Sequence, residues 1–122
     1  MLLAHKNIDA NKATTDHGFT PLLMACHNGH DGVVKLMLAH DGIDANKART
    51  DIGATPLYMA CQNGHDEVAK LLLAHDGIDA SKARTDGATP LHTAVTSGNL
   101  RVAQLLVTCC LLYTSPSPRD RG

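Results

Sequence analysis

Eight histidines and four cysteines in a chain of 122 residues are the side chains best able to hold a metal or attack a substrate. Their spacing argues against both. His5, His40 and His75 stand 35 residues apart in succession, and so do His30 and His65. Equivalent side chains on stacked helices lie about 8–10 Å apart. Two nitrogen ligands on one zinc, each at about 2.0–2.1 Å, lie within roughly 3–4 Å of one another. A ladder of that kind cannot close on one ion, so no metal site is expected. His30 and His65 read instead as hydrogen-bonding residues of a turn between helices. Cys26 and Cys61 share the same spacing, which is too wide for the Cα separation of about 4.4–6.8 Å that a disulfide needs. They are expected to be small buried hydrophobes. Cys109 and Cys110 are adjacent and fit no zinc spacing. Free thiols suit a reducing compartment, cytoplasmic or nuclear. No glycine-rich phosphate loop, no Ser/His/Asp set and no catalytic carboxylate pair stands out, so neither an enzyme nor a cofactor is expected.

The charged residues exclude further classes. Lys47-Ala48-Arg49 and Lys82-Ala83-Arg84 resemble a basic stripe, but Asp44, Asp51, Asp79 and Asp86 interleave with them and the formal charge is -1. Nucleic-acid binding would also want aromatic rings for base stacking, and aromatics make up only 2 % of the chain. The longest apolar stretch, Leu105 to Tyr113, falls far short of the roughly 18 residues that span a bilayer. The first residues, Met1 to Ala10, mix lysine and aspartate into the apolar ones, unlike a secretory leader. Neither nucleic acid nor membrane is therefore expected as a partner.

The elements that position these residues follow from internal repetition. Thr20–Ala54 and Thr55–Ala88 are one segment written twice: with Ile52 set aside, 34 positions align and six differ. The differences are Leu23/Tyr58, His27/Gln62, Gly32/Glu67, Val34/Ala69, Met37/Leu72 and Asn46/Ser81. A third copy opens at Thr89, and residues 2–19 match the end of an earlier one. Each copy predicts two helices and an exposed hairpin. Threonine at the helix start accepts a bond from a free amide, and proline next to it loses none. The first helix therefore starts at Thr20-Pro21, Thr55-Pro56 and Thr89-Pro90. Asn28-Gly29 ends it, since glycine tolerates a left-handed cap. The second helix starts near His30 or Asp31, carries a broad apolar stripe from Val33 to Leu38, and ends at His40-Asp41-Gly42. Helix pairs this short bury both apolar sides only by stacking on neighbours, which predicts a solenoid.

These residues resemble a known consensus. Thr55-Pro56-Leu57, Ala60, Gly64-His65, Val68-Ala69 and Leu71-Leu72-Leu73, with the hairpin Gly42-Ile43-Asp44-Ala45-Asn46 through Asp51 and Gly53, are similar to the ankyrin repeat. The likeness covers residues 2 to about 108. It departs from the family in its period, 35 and then 34 residues against the usual 33, and in the histidine after Pro-Leu, kept only at His92. The resemblance implies an all-α ankyrin-repeat solenoid of stacked helix–turn–helix units with exposed hairpin loops. It divides the chain into a partial repeat (1–19), complete repeats (20–54 and 55–88), a C-terminal partial repeat (89–109) and a non-repeat tail (110–122).

The resemblance also implies a protein–protein interaction scaffold, either a monomer or part of a longer array. In the family, first helices and hairpin tips line the concave, partner-binding face. Here that face would be Leu23, His27, Asn28, Tyr58, Gln62, Asn63, Thr96 and Ser97, with Arg49, Ile52 and Arg84 on the hairpins and Tyr58 as the best anchor. Asn11 and Asn46 stand where the family carries a hydroxylatable asparagine; the other reading is a residue chosen for turn geometry. The competing function is a regulatory or substrate-recruiting segment of a larger enzyme, such as a kinase or a ubiquitin ligase.

Both ends break the pattern. Met1 aligns with Leu36 and Leu71, so the chain reads as beginning inside a second helix. Leu105, Leu106 and Val107 lack a covering repeat in the sequence. The segment Cys110-Leu111-Leu112-Tyr113-Thr114-Ser115-Pro116-Ser117-Pro118-Arg119-Asp120 resembles a translated frame of a transposase-type sequencing adapter. It is read as an artefact that packs on nothing and forms no regular structure past the last helix.

Overall fold

A computed structural model describes residues 11–114, with side chains as far as Cys109. His5, the front of the first partial repeat and the tail from residue 115 lie outside the described residues. Within them the chain forms six helices and no strand: α1 (Pro21–Asn28), α2 (Asp31–Leu38), α3 (Pro56–Gln62), α4 (Asp66–Leu73), α5 (Pro90–Thr96) and α6 (Leu100–Thr114). The helices stack in two layers. α1, α3 and α5 pack side by side in one, α2, α4 and α6 in the other, and each pair within a repeat packs across the layers.

The helix starts are those the threonines dictate. Thr20, Thr55 and Thr89 each accept the amide of the residue three places on, at 3.1, 3.1 and 3.2 Å, with proline beside them. The stop after α1 is enforced twice. Gly29 sits at φ 73°, and a Cβ there would lie 2.6 Å from Nδ1 of His65. Only glycine meets both the left-handed backbone and the close approach of the next repeat. The second helices end at Leu38 and Leu73, two residues before His40 and His75.

The main core lies between the layers. Leu22, Cys26, Val34, Leu57, Cys61, Val68, Leu72, Val102 and Leu106 are buried there. Cys26 and Cys61 are free and buried, as their spacing predicted, and burial pushes both thiols up to about 12. Val34/Ala69 and Met37/Leu72 exchange one apolar residue for another at buried sites, as close packing allows when volumes stay similar.

The last helix departs from expectation. α6 runs to Thr114, five residues beyond the end drawn for the last repeat, so the first part of the tail is helical. The earlier second helices turn away at His40-Asp41-Gly42 and His75-Asp76-Gly77. The corresponding Cys109-Cys110-Leu111 offers no glycine to stop the helix there. Leu106 is also only 1 % exposed, buried against the layers, while Val107 is 45 % exposed. Successive helical residues point to different sides, so a missing neighbour uncovers one of them and spares the other.

Candidate functional site

The face formed by the first helices and the hairpins is a polar row lying beside a narrow apolar seam. His27, Gln62 and Thr96, at equivalent positions near the ends of α1, α3 and α5, are exposed, as are Asn28, Asn63 and Ser97 beside them. The row has a built-in order. The side-chain Nδ2 of Asn63 donates to the His27 carbonyl at 3.1 Å and lies 3.2 Å from the His27 Nδ1. His65 Nε2 donates to the same carbonyl at 3.0 Å. In the next repeat Asn99, standing where His65 stands, donates to the Cys61 carbonyl at 2.6 Å. His65 is therefore a hydrogen-bonding residue, but its side chain joins its repeat to the preceding one and makes no capping bond at the turn it was expected to tie. Among the described residues no group of three or more His, Cys, Asp or Glu is placed to hold a metal ion. No helix of the described residues is long and apolar enough to cross a membrane.

Two of the expected contact residues are not on the surface. Leu23 is 0 % and Tyr58 3 % exposed, packed with Ala54 and Met59 in a second small core under the hairpins, where Phe19, Ile52 and Ala88 close the sides. The expectation of an exposed Tyr58 anchor is corrected. The position varies in chemistry because different shapes fill this seam, and only the last copy, His92, is exposed. The sequence comparison took variation for exposure.

Arg49 and Arg84 roof the same seam. The Arg84 guanidinium lies 5.0 Å from the centre of the Tyr58 ring, and that of Arg49 lies 4.5 Å from the Phe19 ring. Each arginine is forked onto the aspartate two residues on, Asp51 or Asp86. These pairs hold both carboxyls below the usual carboxylate range and raise Arg84. His17 Nδ1 adds a contact to Asp51 at 3.3 Å. The guanidinium groups are half-buried and committed to their own hairpins. Ile52 is half-buried at the hairpin tip.

Asn11 and Asn46 have a role that sequence reasoning missed. Each carboxamide reaches into the following hairpin. Asn46 Nδ2 donates to the Gly77 carbonyl and its Oδ1 accepts the Asp79 amide, both at 2.8 Å. Asn11 does the same to Gly42 and Asp44, at 2.7 and 2.8 Å. These are clamps between hairpins; the turn within Asn46's own hairpin is tied by Asp44, whose Oδ1 accepts the Asn46 amide. A signal was present: the third equivalent is Ser81, which bonds only within its own hairpin, to Asp79. The chain segment that would lie beyond it is α6, which is helical and offers no turn to clamp.

Comparison with known families agrees with this geometry. A family model for ankyrin repeats in three copies matches residues 44–116, more than half of the chain, and one for a single ankyrin repeat matches residues 17–51. No curated protein matches the chain. The chain belongs to the ankyrin-repeat family. Ankyrin repeats are generally protein–protein interaction modules and are typically non-catalytic.

Proposed function

We propose that this chain is a protein-interaction scaffold whose contact surface is the exposed row His27, Asn28, Gln62, Asn63, Thr96 and Ser97, with Ile52 at the hairpin tip. The observation that supports this reading is a contrast between neighbours along the first helices. Buried positions there are apolar except Thr93, while His27, Gln62 and Thr96 near the helix ends are exposed, polar and different in every copy, each followed by an exposed polar residue (Asn28, Asn63 or Ser97). Differences confined to exposed, rigidly presented side chains change what a surface binds without changing how the stack folds. Arg49 and Arg84 support the surface from the hairpins by roofing the seam.

The row carries no Trp, Tyr or Arg, the types that dominate binding energy, so its contacts are polar and spread over several residues. The test begins with a partner captured by pull-down and measures its affinity for His27→Ala, Gln62→Ala and the triple variant with Thr96→Ala. Single changes are expected to weaken binding by up to about tenfold, and the triple variant by more, with an unchanged urea midpoint. Lys35→Ala and Lys70→Ala, on the exposed face of the second helices, are expected to bind as wild type. Loss of binding in the lysine variants with retention in the triple variant would overturn the assignment.

A further inference from the structure

The two joints inside the first-helix layer are tied by different side chains. Between α1 and α3, two residues reach back to one carbonyl, that of His27: Asn63 through Nδ2 at 3.1 Å and His65 through Nε2 at 3.0 Å. Between α3 and α5, Asn99 reaches back to the Cys61 carbonyl at 2.6 Å. The residues at the positions of His27, Asn63 and His65 in the next joint are Gln62, Ser97 and Asn99. None of these three changes charge in water, whereas two of the first three are imidazoles, the side chain that does so between about pH 5 and 8. One joint of the stack is therefore built to respond to protons and its neighbour is not.

The geometry fixes which protonation state fits. Asn63 Nδ2 meets two atoms of His27, the carbonyl oxygen at 3.1 Å and Nδ1 at 3.2 Å. A carbonyl oxygen only accepts, so the Asn63 atom facing it is the nitrogen and not the oxygen. That nitrogen only donates, so His27 Nδ1 has to carry a lone pair and the ring is neutral with its proton on Nε2. Adding a proton to Nδ1 sets two donors against each other. Turning the Asn63 carboxamide over lets its oxygen accept from the charged ring but sets that oxygen against the carbonyl; swinging the ring away leaves the carboxamide half-held. Either way the two bonds from Nδ2 cannot both survive. His65 behaves differently, since its Nε2 donates to the carbonyl in the neutral and the charged ring alike.

We infer that the joint between α1 and α3 is a proton-operated catch: neutral His27 holds the Asn63 carboxamide, and the protonated ring lets it go. The surroundings leave this bond in control. The titratable groups on the elements packed against α1 are His30, Asp31 and Lys35 on the α2 side, the buried Tyr58 and Cys61 on α3, and His65, Asp66 and Glu67 at the turn into α4. Among the described residues no ion pair includes His27 or His65. Asp31 accepts the Gly32 amide, and Asp66 accepts the Glu67 amide and pairs with Arg101 at 3.8 Å. His27 lies in the last turn of α1, whose carbonyl end favours a cation, so acid charges the ring and the cost falls on the Asn63 bond. Both side chains belong to the exposed row assigned above to partner contact. On that reading the catch regulates the surface itself: acid places a charge in an otherwise neutral row and frees one of its carboxamides.

The experiment is an NMR titration of the full chain from about pH 8 to about pH 5, following the ring nitrogens of His27 and the side-chain amides of Asn63 and Asn99. The Asn63 amide signals are expected to move in one transition that tracks the His27 ring, with the Asn99 signals still and the backbone amides of α3 protected throughout. His27→Gln installs the residue of the next repeat and is expected to abolish the Asn63 transition. His65→Asn, which installs the residue of the next joint, is expected to keep it. Asn63 signals that stay fixed while His27 titrates would overturn the inference, as would a transition that persists in His27→Gln or vanishes in His65→Asn. None of this needs a partner, so it stands apart from the contact-surface reading. With a captured partner, affinity is expected to fall up to about tenfold from the neutral to the acid end in wild type, and not in His27→Gln. A pH-independent affinity beside an intact Asn63 transition would remove His27 from the contact surface and leave the catch in place.

Discussion

The helix layers and the hairpin edge both join one repeat to the next, and they do so by different physics. In the layers the joint is apolar: Val68, Leu72, Cys61 and Leu106 are at most 1 % exposed, and the stabilisation comes from area removed from water and from tight packing. At the edge the joint is directional. The side chains of Asn11 and Asn46 and the amides of Thr50 and Thr85 each bond to an adjacent hairpin, close to solvent, where a hydrogen bond nets only about 0.5–1.5 kcal/mol. Between the two regions lies the seam of Leu23, Tyr58 and Met59, apolar in content but roofed by Arg84. The difference teaches that the layers tolerate an exchange such as Met37/Leu72, which keeps volume, while the edge tolerates Asn46/Ser81 only where no following hairpin has to be held.

The largest effects should come from the apolar joints. Leu72→Ala is expected to lose about 2–5 kcal/mol through the cavity it leaves. Tyr58→Ala is expected to lose about 3 kcal/mol, the low end of the range for truncating a large buried ring, with Arg84 losing its ring contact as well. Urea unfolding of both variants measures this. A Tyr58→Ala midpoint equal to wild type would show that the seam belongs with the edge and contributes little.

The next effect is local. Asn46→Ala removes two bonds between hairpins and should cost about 1–3 kcal/mol, read as faster hydrogen exchange at the Asp79 amide with α3 and α4 still protected. Ser81→Ala, with its bond confined to one hairpin, should stay within about 0.5 kcal/mol. Equal losses from the two would mean that the clamp between hairpins adds nothing to the turn itself.

Glycines sharpen the contrast within the layers. Gly32 lies in the first turn of α2 with open space where a Cβ would be. Gly32→Ala should therefore stabilise by about 0.5–1 kcal/mol, seen as a raised urea midpoint. Gly29→Ala should destabilise, since it combines a left-handed φ with the His65 ring 2.6 Å away.

The smallest effect is electrostatic and sits on the edge. Asp51 and Asp86 have folded pKa values below the ordinary one, chiefly through their bonds to Arg49 and Arg84. Their contribution is present above the unfolded carboxylate pKa and is lost as pH falls through the folded value. Both are solvent-exposed, so the change is slight and screened by salt. An acid-limb stability profile that differs between wild type and the Asp51→Asn/Asp86→Asn variant at low salt, and merges at high salt, is the expected outcome.

The sequence by itself determined the repeat, its register and the ends of the first helices. Thr-Pro at the start and Asn-Gly at the stop act through bonds and backbone preferences within a few residues, so they can be read without knowing what packs where. The family and the buried state of Cys26 and Cys61 were legible for the same reason, because periodicity alone places a residue on a face. Tertiary structure decided the exposure of Leu23 and Tyr58, the forward reach of Asn46 and the run of α6 to Thr114. Each depends on whether a neighbouring repeat is present at that point. A residue's type and spacing are the same in every copy; only the stack sets which copy has a neighbour to bury it or a carbonyl to meet it.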